Sequence, residues 1–150
     1  MIMGTEPTGD ITDLDVVFRL VSFEGVSYDL AAPSPVMTFR ENEGLERRFA
    51  IPVGVADAVT IANAAQGRTG LRPSTSELLS VVIDGLGADL VAVRFVRVEG
   101  AVVFAELDLM SAAGRRVFDC RPSDAVALAL RVPSAPVLVD EVIVSTLECR

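Results

Sequence analysis

A run of strand-like residues in the second half of the chain most constrains its fold. Residues 89–98 and 101–110 are apolar and largely alternating, and only Glu99 and Gly100 separate them. Two such runs joined by a tight turn that contains glycine are typical of an antiparallel hairpin. A second short turn leads into residues 115–120, which are expected to pair back in the same way. This part of the chain is therefore predicted to be an antiparallel meander.

Three other segments show helical spacing. Residues 56–66 repeat small apolar side chains every three or four positions. Ser74 and Glu77 fit a capping box that begins a helix ending near Leu86. Residues 121–124 (RPSD) are predicted to open a third helix, from Ala125 to about Arg131, since proline suits the entry of a helix.

The remaining regular segments are apolar and β-branched, which is typical of strands. Strands are predicted at residues 14–23, 26–31, 36–40, 47–53 and 136–139. Arg47 and Arg48 are interpreted as a solvated strand start, and residues 142–146 fit either a strand or a helix. The short strand after the third helix could lie parallel to its neighbour. The sum is an α+β fold: a single domain with a largely antiparallel, mixed β-sheet covered by about three α-helices.

Chain length is consistent with one domain. A chain of 150 residues buries roughly 70% of its unfolded surface. Residues 1–12 lack any periodic apolar pattern, so they are expected to be a flexible N-terminal tail before the domain at residues 13–150.

The composition excludes several kinds of chemistry. All 13 basic residues are arginine, and the chain has no lysine, histidine or tryptophan. A Ser-His-Asp or Cys-His site, a histidine-ligated zinc ion and a lysine Schiff base are therefore impossible. Carboxylates, arginines, hydroxyls, two cysteines and backbone dipoles remain.

Charge and hydropathy limit the partners. The net charge of −8 argues against broad electrostatic binding of nucleic acid, although a local arginine cluster stays compatible with it. No uncharged run exceeds ten residues, so no membrane helix is expected. The N-terminus has no signal-peptide pattern, and a cytoplasmic protein with reduced thiols is predicted. The high mean hydropathy of +0.47 predicts a homo-oligomer that covers apolar surface.

An arginine and two acids surround the start of the third helix. Arg121, together with N–H groups at this helix end and the Ser123 hydroxyl, could hold a phosphate. Asp119 and Asp124 could bind Mg²⁺ or Mn²⁺ or orient a water molecule. Capping by Ser123 and Asp124 and an internal ion pair of Arg121 explain the same residues, so both interpretations stay open at this point.

A second Arg-Pro pair, Arg72-Pro73, precedes the second helix. Arg72 and Arg121 would face one anion if the two helix N-termini lie side by side. Two unrelated helix caps are the alternative.

Two further positions have a functional and a structural interpretation. Glu106 and Asp108 share one face of a strand and could ligate a cation, but ion pairs with Arg94 and Arg97 across the hairpin are favoured. Cys120 lies near a helix N-terminus, which would lower its pKa, but a small buried core residue is the favoured interpretation.

Several motifs resemble those of one known family. Residues 121–131 (RPSDAVALALR) resemble the signature helix of the bifunctional nuclease (BFN) domain family. Residues 48–54 with Asp57-Ala58 are similar to its L-P-I-W-I-G-x-x-E-A segment, and residues 71–79 to its P-R-P-x-T-H-D-L-L. Residues 104–107 resemble its F-Y-A-x-L, and all four motifs occur in the family's order.

The resemblance implies hydrolysis of phosphodiester bonds in RNA and DNA by an oligomeric α+β protein. Phosphate would be bound by Arg72, Arg121 and Ser123, and metal ligands or a base would come from Asp57, Glu77, Asp119 and Asp124. Mg²⁺ or Mn²⁺ would be the cofactor. The family's motif histidine is replaced by Ser76 and its motif glutamate by Asp57, so a weak or lost activity is expected. The alternative is a non-catalytic regulatory or scaffold module that binds a protein partner or a small anion.

Overall fold

A computed structural model describes residues 16–29 and 31–149. The described elements in chain order are β1 (Phe18–Ser27), β2 (Val36–Glu41), β3 (Arg48–Pro52), α1 (Val55–Ala65), α2 (Thr75–Gly85), β4 (Asp89–Glu99), β5 (Val102–Ser111), β6 (Gly114–Cys120), α3 (Pro122–Arg131), β7 (Val137–Asp140) and α4 (Glu141–Leu147). The tail predicted at residues 1–12 lies outside the described residues.

Seven strands form one mixed sheet in the order β3-β2-β1-β7-β4-β5-β6. The predicted meander is confirmed, because β4 pairs antiparallel with β5 and β5 with β6. The strand after α3 is parallel to β4 and antiparallel to β1. The predicted single-domain α+β class with a largely antiparallel sheet is therefore confirmed.

One prediction about the elements was wrong in detail. Residues 14–31 were expected to hold two strands, whereas β1 is one strand with a register shift between Phe23 and Gly25. Gly25, with φ of +151°, accommodates a β-bulge instead of a turn. The described residues contain four helices, close to the predicted three, because the segment 142–146, which fitted either a strand or a helix, belongs to α4. The Asp140 carboxylate caps α4 by accepting from the N–H of Val142 at 2.8 Å.

The sheet curls around a cluster of aromatic rings. The rings of Phe39 on β2 and Phe95 on β4 have centroids 5.4 Å apart, although three strand spacings separate these strands. Such strands would be about 14 Å apart in a flat sheet. The stacked pair of Phe39 and Phe49 extends the cluster to β3. Aromatic side chains from distant strands of the curled sheet therefore meet and fill its concave side.

The α3 helix lies at the centre of the helical layer. Its residues 125–129 are all buried, and it packs against α1, α2, β4 and β5. A helix that is apolar on all sides is stable only in such surroundings. Its N-terminal residues are consequently held in a defined position relative to α1 and α2. No helix in the described ranges is long and apolar enough to cross a membrane.

Arg47 is not the solvated strand start that was predicted. Its guanidinium donates to the Glu41 carboxylate at 2.7 and 2.9 Å and to Glu141 at 2.8 Å. Glu41 is only 3% exposed, so this arginine neutralises a buried charge that the sequence pattern does not reveal. Arg48 is exposed as expected.

Candidate functional site

Arg121 occupies the N-cap position of α3 and joins two helices through two carboxylates. Its Nε and Nη2 donate to the Asp124 carboxylate at 2.9 and 2.8 Å. Its Nη1 and Nη2 donate to Asp57, in the first turn of α1, at 3.1 and 3.3 Å. The arginine side chain is nevertheless 62% exposed, so the pair forms part of the surface of the protein.

Asp124 and Asp57 keep the Arg121 side chain positively charged. Asp124 first and Asp57 second raise the pKa of Arg121 above its ordinary value, so the guanidinium remains a cation. All its donor nitrogens are engaged. These four bonds use four of the five N–H groups, so an anion can contact the remaining N–H of Nη1 and then exchange with Asp57, whose bonds are the longer ones.

Two cavities adjoin the Arg121 side chain. One, of about 500 Å³, lies among the N-terminal turns of α1, α2 and α3 and is here named the helix-start cleft. Its polar lining comprises Asp57, Thr60, Thr75, Ser76, Asp119, Arg121, Ser123 and Asp124. The other, of about 400 Å³, lies between the β3–α1 connection and the β4–β5 turn. Arg121 and Asp57 line both, so their ion pair divides the two cavities.

Ser123 does not have the predicted capping role. Arg121 is the N-cap residue, Pro122 begins the helix, and no side chain caps this terminus. Ser123 is buried in the first turn and lines both cavities beside Arg121. Its predicted contact with phosphate is untested.

Asp119 lies at the edge of the helix-start cleft, but its side chain shares a face with Glu106. The β5–β6 register pairs Asp119 with Glu106 and Cys120 with Ala105, and Ala105 belongs to the buried core. Because side chains alternate along a strand, Asp119 lies on the opposite face of the sheet from Cys120. No group of three potential ligands among the His, Cys, Asp and Glu residues of the described ranges could hold a metal ion.

Arg72 and Arg121 do not converge. Arg72 lines a separate cavity of about 380 Å³, together with Arg68, Glu77 and Arg131; this cavity is here named the arginine cleft. Glu77 completes the predicted capping box, with its carboxylate 3.2 Å from the N–H of Ser74. It also forms an ion pair with Arg131 at 3.0 Å. The predicted catalytic carboxylate of Glu77 is thus engaged in the structure and lies outside the helix-start cleft.

Ser76 is buried and lines the helix-start cleft with Asp57 and Asp124. Its hydroxyl is 3.3 Å from the hydroxyl of Ser74. The sequence motifs on three separate segments therefore meet at one cavity. Sequence reasoning missed Thr60 and Thr75 in this lining, because an isolated threonine on a helix carries no recognisable pattern.

The surroundings of the remaining candidates, Asp108 and Cys120, indicate structural roles. Asp108 is buried between Arg94 and Arg115, and the Nε of Arg115 is 2.8 Å from its carboxylate. The favoured ion pair with Arg94 across the hairpin is therefore confirmed. Arg97 pairs with Glu99 instead. Burial, reinforced by nearby carboxylates, raises the pKa of Cys120 to about 12. The thiol of Cys120 is therefore not an activated nucleophile.

Comparison with known proteins gives a consistent result. The sequence model of the bifunctional nuclease domain matches residues 37–150, a range that includes α1, α2, α3 and every residue of both clefts. The chain therefore belongs to the bifunctional nuclease domain family.

Two similar proteins come from Mycobacterium tuberculosis. They are "Uncharacterized protein MT1877" of strain CDC 1551 / Oshkosh and "Uncharacterized protein Rv1829" of strain ATCC 25618 / H37Rv. Each is 33% identical over 127 residues, which cover 81% of this chain and 71% of the relative.

Proposed function

We propose that this protein hydrolyses phosphodiester bonds of RNA or DNA at the helix-start cleft. The observation that carries the proposal is the Arg121 side chain, which is exposed beside two cavities and fixed by carboxylates from two different helices. Arginine presents a planar fork that fits phosphate oxygens. Membership in the bifunctional nuclease domain family supports the same reaction.

The distances suggest different roles for the two carboxylates. Asp124 makes the shorter bonds to Arg121 and keeps the guanidinium oriented. Asp57 makes the longer bonds, so a phosphate oxygen displaces it first. The released Asp57 carboxylate accepts a proton from the water whose oxygen forms the new bond to phosphorus, and Arg121 stabilises the charge that develops on the phosphate. The P–O bond to the leaving sugar oxygen breaks, and that oxygen takes up a proton from solvent to leave as a hydroxyl group. Mg²⁺ is often bound by one or two carboxylates together with substrate phosphates, and Asp57 and Asp124 are the acids placed to contribute.

Cleavage of labelled single-stranded RNA and DNA tests the proposal, with EDTA, Mg²⁺ or Mn²⁺ in parallel reactions. Removing one donor that stabilises a developing charge costs about 100-fold or more in rate, and we expect this for Arg121→Gln. Asp57→Asn and Asp124→Asn should also lower the rate. Arg40→Gln is the matched control, because Arg40 is an exposed arginine paired with Glu46 outside both clefts. Cleavage that persists unchanged in the Arg121 variant would refute the proposal.

One observation favours the alternative of a non-catalytic module that binds a small anion or a protein partner. Every donor nitrogen of Arg121 already has a carboxylate partner, as in a purely structural ion pair. In that case the pure protein cleaves neither substrate under any metal condition, and Asp57→Asn changes only the stability of the protein.

We further propose that the protein is a homo-oligomer. The α2 helix exposes most of its apolar residues, namely Leu78, Leu79, Val81 and Val82, and Leu86, which follows the helix as its C-cap, is exposed as well. Contiguous apolar surface of this kind marks an interaction site. A second copy of the chain would cover it.

A further inference from the structure

The arginine cleft is a concentration of positive charge in an acidic protein. Three arginines and one glutamate line it, a formal charge of +2, whereas the whole chain carries −8. Arg68 and Arg72 are exposed, and neither side chain forms a hydrogen bond or ion pair with any residue in the described ranges. Thr60, Asn63 and Ser74 add polar groups to the same walls.

Arg131 builds the cleft and is itself incompletely satisfied. Its Nη2 donates to the carbonyl oxygen of Arg68 at 2.8 Å and contacts the Glu77 carboxylate at 3.0 Å. These contacts join the two ends of the α1–α2 connection to α3. The side chain is only 11% exposed, yet its buried Nε has no acceptor among the described residues. An unpaired buried donor is uncommon, and an acceptor in the cleft would remove its desolvation cost.

The cleft continues the site around Arg121. Asp57, Thr60 and Asn63 are spaced by three residues and therefore lie along one side of α1. Asp57 lines only the cavities beside Arg121, Asn63 lines only the arginine cleft, and Thr60 lines both the helix-start cleft and the arginine cleft. A ligand with several phosphates can follow α1 from one cavity to the next.

We propose that the arginine cleft binds phosphoryl groups as a second anion subsite, through Arg68, Arg72 and the Nε of Arg131. The preformed frame held by Arg131 and Glu77 reduces the ordering cost of binding. The phosphoryl groups come either from a compact polyphosphate or from the backbone of a nucleic-acid strand that also reaches Arg121. The second source rests on the proposed function.

Binding without cleavage tests the subsite. Calorimetry with tripolyphosphate and fluorescence anisotropy with a labelled ten-residue oligothymidylate are both run in EDTA at low salt. Each arginine that contacts phosphate is worth about tenfold in affinity, so we expect the Arg68→Gln/Arg72→Gln double variant to lose about 100-fold. Arg116→Gln is the matched control, because Arg116 is exposed on β6 and has no ion-pair partner in the described ranges. Both variants replace exposed side chains, and thermal unfolding verifies that they fold.

The outcomes separate the sources and the two proposals. A loss for tripolyphosphate supports a compact ligand, whereas a loss for the oligonucleotide alone supports a strand, with the salt slope falling by about 0.7 for each contact removed. No binding by the unmodified protein, or an equal loss in Arg116→Gln, would overturn the subsite. Cleavage that fails while this binding persists refutes the catalytic proposal and leaves the subsite in place.

Discussion

Ser76 is the residue whose chemistry differs most from what its position suggests. It lies in the wall of the helix-start cleft, where the family motif has a histidine. A serine hydroxyl does not titrate near neutral pH and is a poor general acid or base, whereas imidazole titrates in that range. The proposed reaction therefore depends on a carboxylate base and should be slow.

Ser76→His should restore proton transfer. General acid–base catalysis contributes about 100-fold or more, so we expect cleavage to rise at least about tenfold and its pH profile to gain an inflection near about 6.5. Ser80→His on the same helix is the control, because Ser80 lines a different cavity. An equal rise in both variants would refute a role for position 76.

Arg47 is the residue whose loss should destabilise the fold most directly. Arg47→Met leaves the buried Glu41 carboxylate with only the distant Arg19, whose Nε is 3.9 Å away. The loss should therefore approach the cost of a broken buried pair, about 3–5 kcal/mol in the free energy of unfolding. Arg40→Met breaks an exposed pair with Glu46 and should cost less than about 1 kcal/mol. Urea denaturation at neutral pH measures both. Equal losses would show that the ion pair of Arg47 with Glu41 contributes no more to the free energy of unfolding than an exposed ion pair does.

The same cluster makes stability depend on pH. Hydrogen bonds from Arg47, and then from Arg19, lower the pKa of Glu141 from 4.5 to about 2, and Arg47 also lowers the pKa of Glu41. A carboxylate with a lowered pKa in the folded state stabilises the protein above its unfolded pKa and loses this contribution as the pH falls through the folded pKa. Thermal unfolding should therefore show stability falling between pH 4.5 and 2. The fall should be smaller in Arg47→Met.

At the scale of elements, the capping box of α2 is tied to α3. The Ser74 side chain accepts a backbone N–H only at the start of its own helix. Glu77 caps the same helix and also forms an ion pair with Arg131 at the end of α3. One carboxylate thereby links a local signal to a tertiary contact. The two capping residues should accordingly differ in their contribution to stability.

Glu77→Ala should cost more than Ser74→Ala. Loss of the serine cap is worth about 1 kcal/mol in the free energy of unfolding. Loss of the glutamate leaves the largely buried Arg131 without its acid, which raises the cost to about 3 kcal/mol. Glu99→Ala removes an exposed pair with Arg97 and is the control for charge alone. Equal effects of the two capping variants in urea denaturation would contradict a structural role for the Arg131 pair.

At the scale of the whole molecule, the curled sheet leaves α2 at the margin of the core. Among the α2 residues only Ser76 and Ile83 are buried, because the helix rests on α3 and touches β4 only slightly. A helix that is mostly apolar and mostly exposed requires a cover. The proposed homo-oligomer supplies one.

Val81→Glu/Leu86→Glu should dissociate that oligomer. Two carboxylates in an apolar interface are desolvated without partners, so light scattering should give a mass near 15.9 kDa for the variant and at least twice that for the unmodified chain. Leu45→Glu is the control, since Leu45 is exposed in the β2–β3 turn. A mass near 15.9 kDa for the unmodified protein refutes the oligomer.

Local signals predicted most of the elements. The capping box at Ser74 and Glu77 and the turn at Gly100 act through neighbouring residues, so their patterns are visible in the sequence. The bulge at Gly25 could not be predicted, because a glycine between two strand-like segments suits a turn equally well. The composition also excluded histidine and lysine chemistry without any structure.

The sequence by itself determined the α+β class, the capped start of α2 and the residue types available for chemistry, since propensity, capping and periodicity depend on residues close in the chain. Only the tertiary structure decided that Asp57 meets Arg121 and that Arg72 lies with Arg68 and Arg131. It also decided that Arg47 is buried against Glu41 and Glu141. These pairings depend on how α1, α2 and the curled sheet pack around α3, and packing over long sequence distances leaves no periodic trace.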